Sequence, residues 1–116
     1  MSRRSAMASL VLLAAMATPP ARAQDAPDPA AGRRLAANVC STCHAVAPDQ
    51  MTPFLNQPAP SFAAIANRPS FDPSSLRTFL AGSHATLGAS GMPNPRLTDR
   101  QIDNVVVYFQ SLRTRR

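Results

Sequence analysis

The C-terminal part of the chain carries the clearest pattern of apolar positions. Thr98 and Gln101 have the spacing of a capping box, so we expect a helix to open at Thr98. Val107 and Tyr108 widen the apolar face that follows. The main stripe recurs at three- and four-residue intervals, as on one face of an α-helix: Ile102, Val105, Val106, Phe109 and Leu112.

Two Asp-Pro pairs predict two more helix starts, since aspartate is a good N-cap and proline fits the first helical position. The pair at 28–29 precedes an alanine-rich stretch over residues 30–39. The pair at 72–73 precedes residues 74–81, a helix that Gly82 is expected to end. Three residues of this second helix are predicted to face inward: Leu76, Phe79 and Leu80.

The segments between these helices are short or irregular. Residues 61–67 are predicted as a short helix with Phe62 and Ile65 on one face. Residues 48–60 hold four prolines, which excludes regular helix or a central strand, and residues 83–97 form a loop with further glycines and prolines. No pair of alternating strands is evident, so the predicted fold class is all-α.

The first 23 residues predict a secretory signal peptide. Arg3 and Arg4 make a positive start, residues 6–17 are small and apolar throughout, and residues 21–23 fit the small-x-small cleavage rule. The apolar run is shorter than the about 20 residues that span a bilayer. We therefore expect a cleaved signal over residues 1–23, a flexible leader over 24–30 and one domain over 31–116. The mature chain should be periplasmic and have no membrane span.

Charge and composition narrow the function classes. Three of the twelve basic residues lie in the predicted signal, so the net charge falls from +6 to +3 in the mature chain. This charge permits attraction to an acidic partner. No basic run is interleaved with aromatics, so we expect no nucleic-acid partner. With no Trp and one Tyr, the polypeptide core is thin for a domain of this length and needs another apolar component.

Both cysteines lie in one short motif, Cys40-Ser41-Thr42-Cys43-His44. This Cys-x-x-Cys-His spacing is the attachment signature of c-type haem. Each thiol can form a thioether with one vinyl group of the porphyrin, and the histidine that follows can bind the iron. The motif therefore predicts one covalently attached haem c, held by Cys40 and Cys43, with His44 as an axial ligand.

Three other interpretations of the cysteines remain open. A disulfide suits an oxidising compartment. A thioredoxin-like redox pair would need a βαβ context, which the pattern does not show. A zinc site needs four ligands, and His84 is the one remaining candidate of the usual kind. Haem attachment is favoured because it agrees with both the export signal and the thin core.

The second axial position has three candidate residues in the mature chain. Met51 lies too soon after His44 to reach the opposite haem face easily. Met92 lies in a Gly-Met-Pro loop between two predicted helices, where Pro93 stiffens the approach, so we expect Met92 to be the ligand. His84 is the alternative, and bis-His ligation would give a lower reduction potential than a His/Met pair.

The order of these features resembles the class I cytochrome c family, specifically its small bacterial single-domain members. The resemblance covers residues 31–112. It implies a fold in which the N- and C-terminal helices cross and shorter helices surround the haem, with Gly32 letting the two helices approach near Val105 and Tyr108. It rests on these features in order: Gly32, the haem motif, Ala59-Pro60-Ser61-Phe62, Arg68, Met92-Pro93 and the closing helix.

The resemblance also implies two further cofactor-binding residues. Pro60 matches the proline whose carbonyl oxygen accepts a hydrogen bond from the axial histidine, which would set the orientation of His44. Arg68 matches a position that often approaches a haem propionate. Ala36 stands where the family often has an aromatic residue, so a looser helix crossing is expected. Three apolar residues are expected to cover one haem edge: Met51, Phe54 and Leu55.

The predicted function is single-electron transfer between redox proteins, without enzymatic activity, because no nucleophile–base–acid constellation is evident. Expected partners are a donor and an acceptor protein, with a periplasmic dehydrogenase or a membrane oxidase as candidates. The chain has no Lys, so any basic docking rim must be built from Arg. The alternatives are an electron-accepting subunit of a dehydrogenase, a haem sensor or enzyme with a labile Met92 bond, and a disulfide-bonded binding module without haem.

Overall fold

The computed structural model describes residues 26–50, 59–82 and 91–114, and these segments contain helices and no strand. The all-α fold class predicted from the sequence is therefore confirmed. Each helix begins within one residue of its predicted start. The helices are α1 (Pro29–Val39), α2 (Phe62–Ala66), α3 (Pro73–Ala81) and α4 (Asp99–Ser111).

Side-chain caps explain why the helix starts were predictable. The Asp28 carboxylate accepts hydrogen bonds from the two backbone N–H groups that follow Pro29, at 2.9 and 3.1 Å. Asp72 caps α3 in the same way, accepting from the backbone N–H three residues on at 2.7 Å. At α4, Thr98 accepts from the Gln101 N–H at 3.3 Å and Gln101 accepts from the Thr98 N–H at 2.8 Å. These bonds satisfy N–H groups that have no partner within the helix.

Helices α1 and α4 cross in direct backbone contact at Gly32. A Cβ atom added to Gly32 would lie 2.0 Å from the Asn104 carbonyl oxygen and 2.9 Å from the Tyr108 Cβ. Ala36, one turn further along α1, is completely buried. Small residues on α1 therefore set the distance between the two helices.

The apolar core forms around α4, which supplies half of its buried residues. Leu112, the last member of the predicted stripe, is partly buried against this cluster. Phe62 connects α2 to α4, since its ring stacks on the Phe109 ring with centroids 4.2 Å apart. The core consists of Ala36, Val46, Phe62, Ala66, Leu80, Ile102, Val105, Val106, Tyr108 and Phe109.

The inward face of α3 differs in part from the prediction. Leu80 is buried and Leu76 packs against the core, as expected. Phe79 is 42% exposed, so the prediction that it joins the core is wrong. The physical reason is a cleft on this side of the molecule, which Phe79 lines.

None of the helices in the described segments is long and apolar enough to cross a bilayer. Several predictions concern residues outside the described ranges. They are the signal peptide over residues 1–23, the haem-edge residues Met51, Phe54 and Leu55, and the alternative ligand His84.

Candidate haem site

The Cys-x-x-Cys-His motif begins where α1 ends. The Cys40 N–H donates to the Ala36 carbonyl at 2.8 Å, which completes the helix, and the His44 N–H donates to the Cys40 carbonyl at 3.0 Å. The buried Ser41 hydroxyl donates to the Ala37 carbonyl at 2.6 Å. The chain therefore makes a tight turn in which both thiols and the imidazole line the same cleft.

This cleft has a volume of about 810 Å³. That size lies within the range of roughly 300–1,000 Å³ that is usual for small-molecule and cofactor sites. All six predicted site residues line it: Cys40, Cys43, His44, Pro60, Arg68 and Met92. Most of the remaining wall is apolar and comes from α2, α3, α4 and the segments before α3 and α4: Phe62, Ile65, Phe71, Leu76, Leu80, Leu97, Val105 and Phe109.

The cleft fits a covalently attached porphyrin. Val39 and Phe79 are the large apolar side chains that are exposed in the described part of the chain, each at 42%, and both line this cleft. Large apolar side chains grouped at one site indicate a surface that another apolar group covers. The two thiols are not joined in a disulfide, so both are available for thioether bonds.

The orientation of His44 follows from its contact with Pro60. The Nδ1 atom lies 2.7 Å from the Pro60 carbonyl oxygen. A carbonyl oxygen can only accept a hydrogen bond, so the proton of a neutral imidazole is on Nδ1 and the lone pair is on Nε2. The Phe62 ring lies beside the imidazole, with centroids 5.5 Å apart. His44 is therefore held in the tautomer that leaves Nε2 able to bind a metal.

The backbone after His44 is held from three directions. The Ala45 carbonyl accepts from the Phe62 N–H at 2.9 Å. The Val46 N–H donates to the Gln50 side-chain oxygen at 2.9 Å. The Val46 carbonyl accepts from the buried Tyr108 hydroxyl at 2.7 Å. These three bonds connect the motif to α2, to the turn that follows it and to α4.

Sequence reasoning missed the roles of Gln50 and Tyr108 in this support. Tyr108 was placed correctly on the apolar face of α4, but its partner lies 62 residues away in the sequence. Gln50 carries no motif. The one sequence feature that could have indicated its role is its position four residues after Val46. In the structure the two residues lie in one turn, where the Gln50 N–H donates to the Ala47 carbonyl at 3.1 Å.

Burial changes the proton affinity of two groups at or near the site. It raises the pKa of the Cys40 thiol to about 11, so the unattached thiol is protonated at neutral pH. Burial also raises the pKa of the Tyr108 hydroxyl. That hydroxyl therefore keeps its proton, and with it the hydrogen bond to Val46, throughout the neutral range.

The zinc interpretation gains no support from the described residues. They contain no group of three or more His, Cys, Asp or Glu side chains that could hold a metal ion. Arg68, by contrast, lies at the edge of the cleft, and it is exposed there. It also lines a second, smaller recess.

Comparison with known proteins agrees with this geometry. The family model described as Cytochrome c matches residues 29–113, which include all four helices and the haem motif. Cytochrome c-552 of Bradyrhizobium diazoefficiens is 35% identical over 104 residues, covering 90% of each chain. No solved structure matches the chain at a significant level. The chain therefore belongs to the cytochrome c family, as a small class I c-type cytochrome that carries covalently bound haem c and transfers electrons.

Proposed function

We propose that the protein carries single electrons between redox proteins in the periplasm, with His44 and Met92 as the axial ligands of its haem. The observation that carries this proposal is the convergence of the two cysteines, the oriented His44 and the Met92 thioether on one apolar cleft. When bound, the haem iron supplies the one-electron chemistry. The side chains around it determine its orientation, its potential and its access to solvent.

His44 would act through its second nitrogen. The bond from Nδ1 to the Pro60 carbonyl keeps Nε2 directed away from that carbonyl and increases its basicity as a ligand. The Phe62 ring and the hydrogen bond from the Phe62 N–H to Ala45 restrict movement of the imidazole. A fixed ligand geometry reduces the rearrangement that accompanies each electron transfer.

Met92 is favoured as the other ligand by its packing. Its side chain is partly buried against the apolar core and lines the same cleft as His44. A His/Met pair gives a higher reduction potential than a bis-His pair and leaves no open position for small molecules. Electron transfer therefore suits this ligand pair better than gas sensing or peroxide chemistry.

Export is supported by the N-terminal sequence pattern, which has a positive start, an apolar run and a small-x-small site before Gln24. We expect the mature protein to begin at Gln24 and to be released with the periplasmic fraction. N-terminal sequencing of the haem-containing product tests this. A product that retains residues 1–23, or that stays in the cytoplasm, contradicts the localisation.

Absorption spectroscopy of the mature holoprotein tests the ligand pair. Wild type and Met92→Ala should both show covalent haem. The charge-transfer band between iron and sulfur should be present in the oxidised wild type and absent from Met92→Ala. Met51→Ala is the matched control and should keep the band. A band that survives in Met92→Ala, or that is missing from the wild type, overturns His/Met ligation and leaves His84 or an open position.

A further inference from the structure

Met92 is joined to α4 by a short segment with little backbone freedom. The segment comprises residues 93–97, which are followed at once by the N-cap of α4. Two of its residues are prolines, Pro93 and Pro95, and each fixes its own φ near about −65°. A proline also restricts the residue before it to extended conformations. The freedom of the chain to turn is therefore concentrated at Arg96 and the residue after it.

Arg96 adopts a backbone conformation that is unfavourable for a residue with a Cβ atom. Its φ is 51°, and it is the only non-glycine residue with a positive φ in the part of the chain that the structure describes. In this left-handed region the Cβ atom lies close to the following carbonyl oxygen. Asparagine and aspartate offset this cost with a short polar side chain, which arginine does not have. The surrounding structure must therefore impose the conformation.

The residues on both sides of Arg96 line the haem cleft, and Arg96 itself does not. The chain follows the cleft wall from Gly91 to Pro95 and returns to it at Leu97, which is partly buried against the core. Arg96 is exposed between these two stretches. The left-handed residue is thus the point at which the chain turns so that Met92 and Leu97 both reach the same cleft.

Hydrogen bonds hold the chain in place on each side of Arg96. The Asn94 side-chain oxygen accepts from the Arg96 N–H at 2.8 Å, which closes a turn over Pro95. On the other side, the capping box of α4 fixes the start of that helix. Arg96 therefore lies between a closed turn and a fixed helix start, and Met92 lies at the far end of the turn.

We infer that Arg96 is a positioning residue for Met92: its left-handed conformation keeps the Met92 thioether at the cleft and is given up when another ligand displaces that thioether from the iron. The inference rests on the proposed His/Met ligation. The two prolines make residues 92–95 stiff, so a change in φ at Arg96 moves Met92 with it. The unfavourable φ then acts against the iron–sulfur bond. Met92 is consequently easier to displace with arginine at position 96 than with a residue that accepts a positive φ.

The test is a titration of the oxidised holoprotein with imidazole, whose nitrogen can replace the thioether on the iron. Loss of the charge-transfer band between iron and sulfur measures the displacement. Arg96→Gly and Arg96→Ala remove the same charge, but glycine alone adopts a positive φ without strain. Imidazole should bind to Arg96→Gly at least about threefold more weakly than to Arg96→Ala, after allowing for the greater freedom of glycine in the displaced state.

Asn94→Ala should act in the opposite direction, because it removes the acceptor of the Arg96 N–H. Imidazole should bind to this variant about threefold more tightly than to wild type. Asn94→Asp keeps an acceptor oxygen at the same position and should stay within about twofold of wild type. Its added charge acts on both ligated forms alike, since imidazole and the thioether are both neutral. No change in Asn94→Ala, or equal changes in the two variants, overturns the inference.

Denaturant titration of the same proteins separates positioning of Met92 from general stability. Equal imidazole affinity in Arg96→Gly and Arg96→Ala would mean that residue 96 keeps its conformation after Met92 is displaced, even where the glycine variant has the larger free energy of unfolding. That result overturns the inference and leaves His/Met ligation standing. A wild type without the charge-transfer band overturns the ligation and the inference together.

Discussion

The crossing of α1 and α4 and the haem cleft are built in opposite ways. At the crossing, protein atoms meet directly, and no room remains for even one added methyl group at Gly32. At the cleft, the same chain leaves about 810 Å³ between its walls and exposes Val39 and Phe79. The first region is complete as a protein interface. The second is complete when an apolar group fills it, so haem c is part of the core as well as the redox centre.

The largest effect is expected when haem attachment is prevented, because the cleft then loses the group that fills it. Replacing both cysteines in Cys40→Ala/Cys43→Ala should abolish cooperative thermal unfolding. The cleft walls would then face water, and the remaining core is small for a chain of this length. Circular dichroism during heating of the purified variant measures this. A haem-free protein with native helix content and a sharp melting transition would show that the α1–α4 region folds without the cofactor.

The crossing of α1 and α4 is tested by Gly32→Ala in the holoprotein. The new Cβ would lie 2.0 Å from a backbone oxygen of Asn104, which cannot rotate away as a side chain can. We expect a loss of about 3 kcal/mol in the free energy of unfolding, at the upper end of overpacking effects. Denaturant titration followed by haem absorbance measures it.

Gly82→Ala is the matched control for this substitution. Gly82 has φ −77° and ψ 167°, which an alanine adopts without strain. The added Cβ would lie 3.3 Å from the nearest atom, the Thr78 carbonyl oxygen. Its cost should stay below about 1 kcal/mol. Equal losses in the two variants would mean that the crossing is not tighter than an ordinary helix end.

The two regions also differ in how far the sequence predicted them. The helices depend on local signals, since their caps and the apolar stripe of α4 can be read within a few residues. The crossing at Gly32 was implied by the resemblance to the cytochrome c family and not by a local pattern. The cleft residues were found through the haem motif and the resemblance. The prediction for Phe79 was wrong because apolar residues that recur every three or four positions indicate an apolar helix face. Such a pattern does not tell whether that face packs into the protein core or against a cofactor.

The contacts that sequence reasoning missed are mostly polar and long-range. Asn67 looked like an ordinary residue at the end of a short helix, yet it holds Leu112 and Thr114, 45 and 47 residues away. No pattern within either segment indicates this pairing. It exists because α2 packs against α4, so such bonds can be inferred after the topology is known and not before.

Gln50→Ala tests the support of the haem motif beside the cleft. The Gln50 side chain holds the turn that follows this motif. The variant leaves the buried Val46 N–H without its acceptor at 2.9 Å. A loss of about 2 kcal/mol is expected, as for other buried polar groups that lose a partner. Gln110→Ala, an exposed site on α4, should change the free energy of unfolding by less than about 0.5 kcal/mol. Similar values for the two variants would mean that Gln50 does not support the turn.

The smallest expected effect concerns Tyr108, which belongs to both regions because it packs at the Gly32 crossing and donates to Val46 beside the motif. Tyr108→Phe removes that hydrogen bond and keeps the ring, so we expect a loss of about 1 kcal/mol at pH 7. Denaturation of wild type and variant gives the difference directly. No difference at pH 7 would mean that the Val46 carbonyl finds another donor.

The same pair of proteins gives a pH test with a definite sign. Burial raises the pKa of the Tyr108 hydroxyl above its unfolded value of about 10. Arg33 and Asp49, an ion pair at 3.7 Å, also act on this hydroxyl, the first lowering its pKa and the second raising it. A raised pKa means that the contribution of the hydroxyl to stability is complete below about pH 10 and is lost as the pH rises through the folded value. Wild type should therefore lose stability as the pH rises above about 10 while Tyr108→Phe loses less, so the difference in free energy of unfolding between the two proteins should narrow. A gap that widens above pH 10 would mean that the folded protein favours the ionised form of Tyr108, contrary to its burial between the crossing and the haem motif.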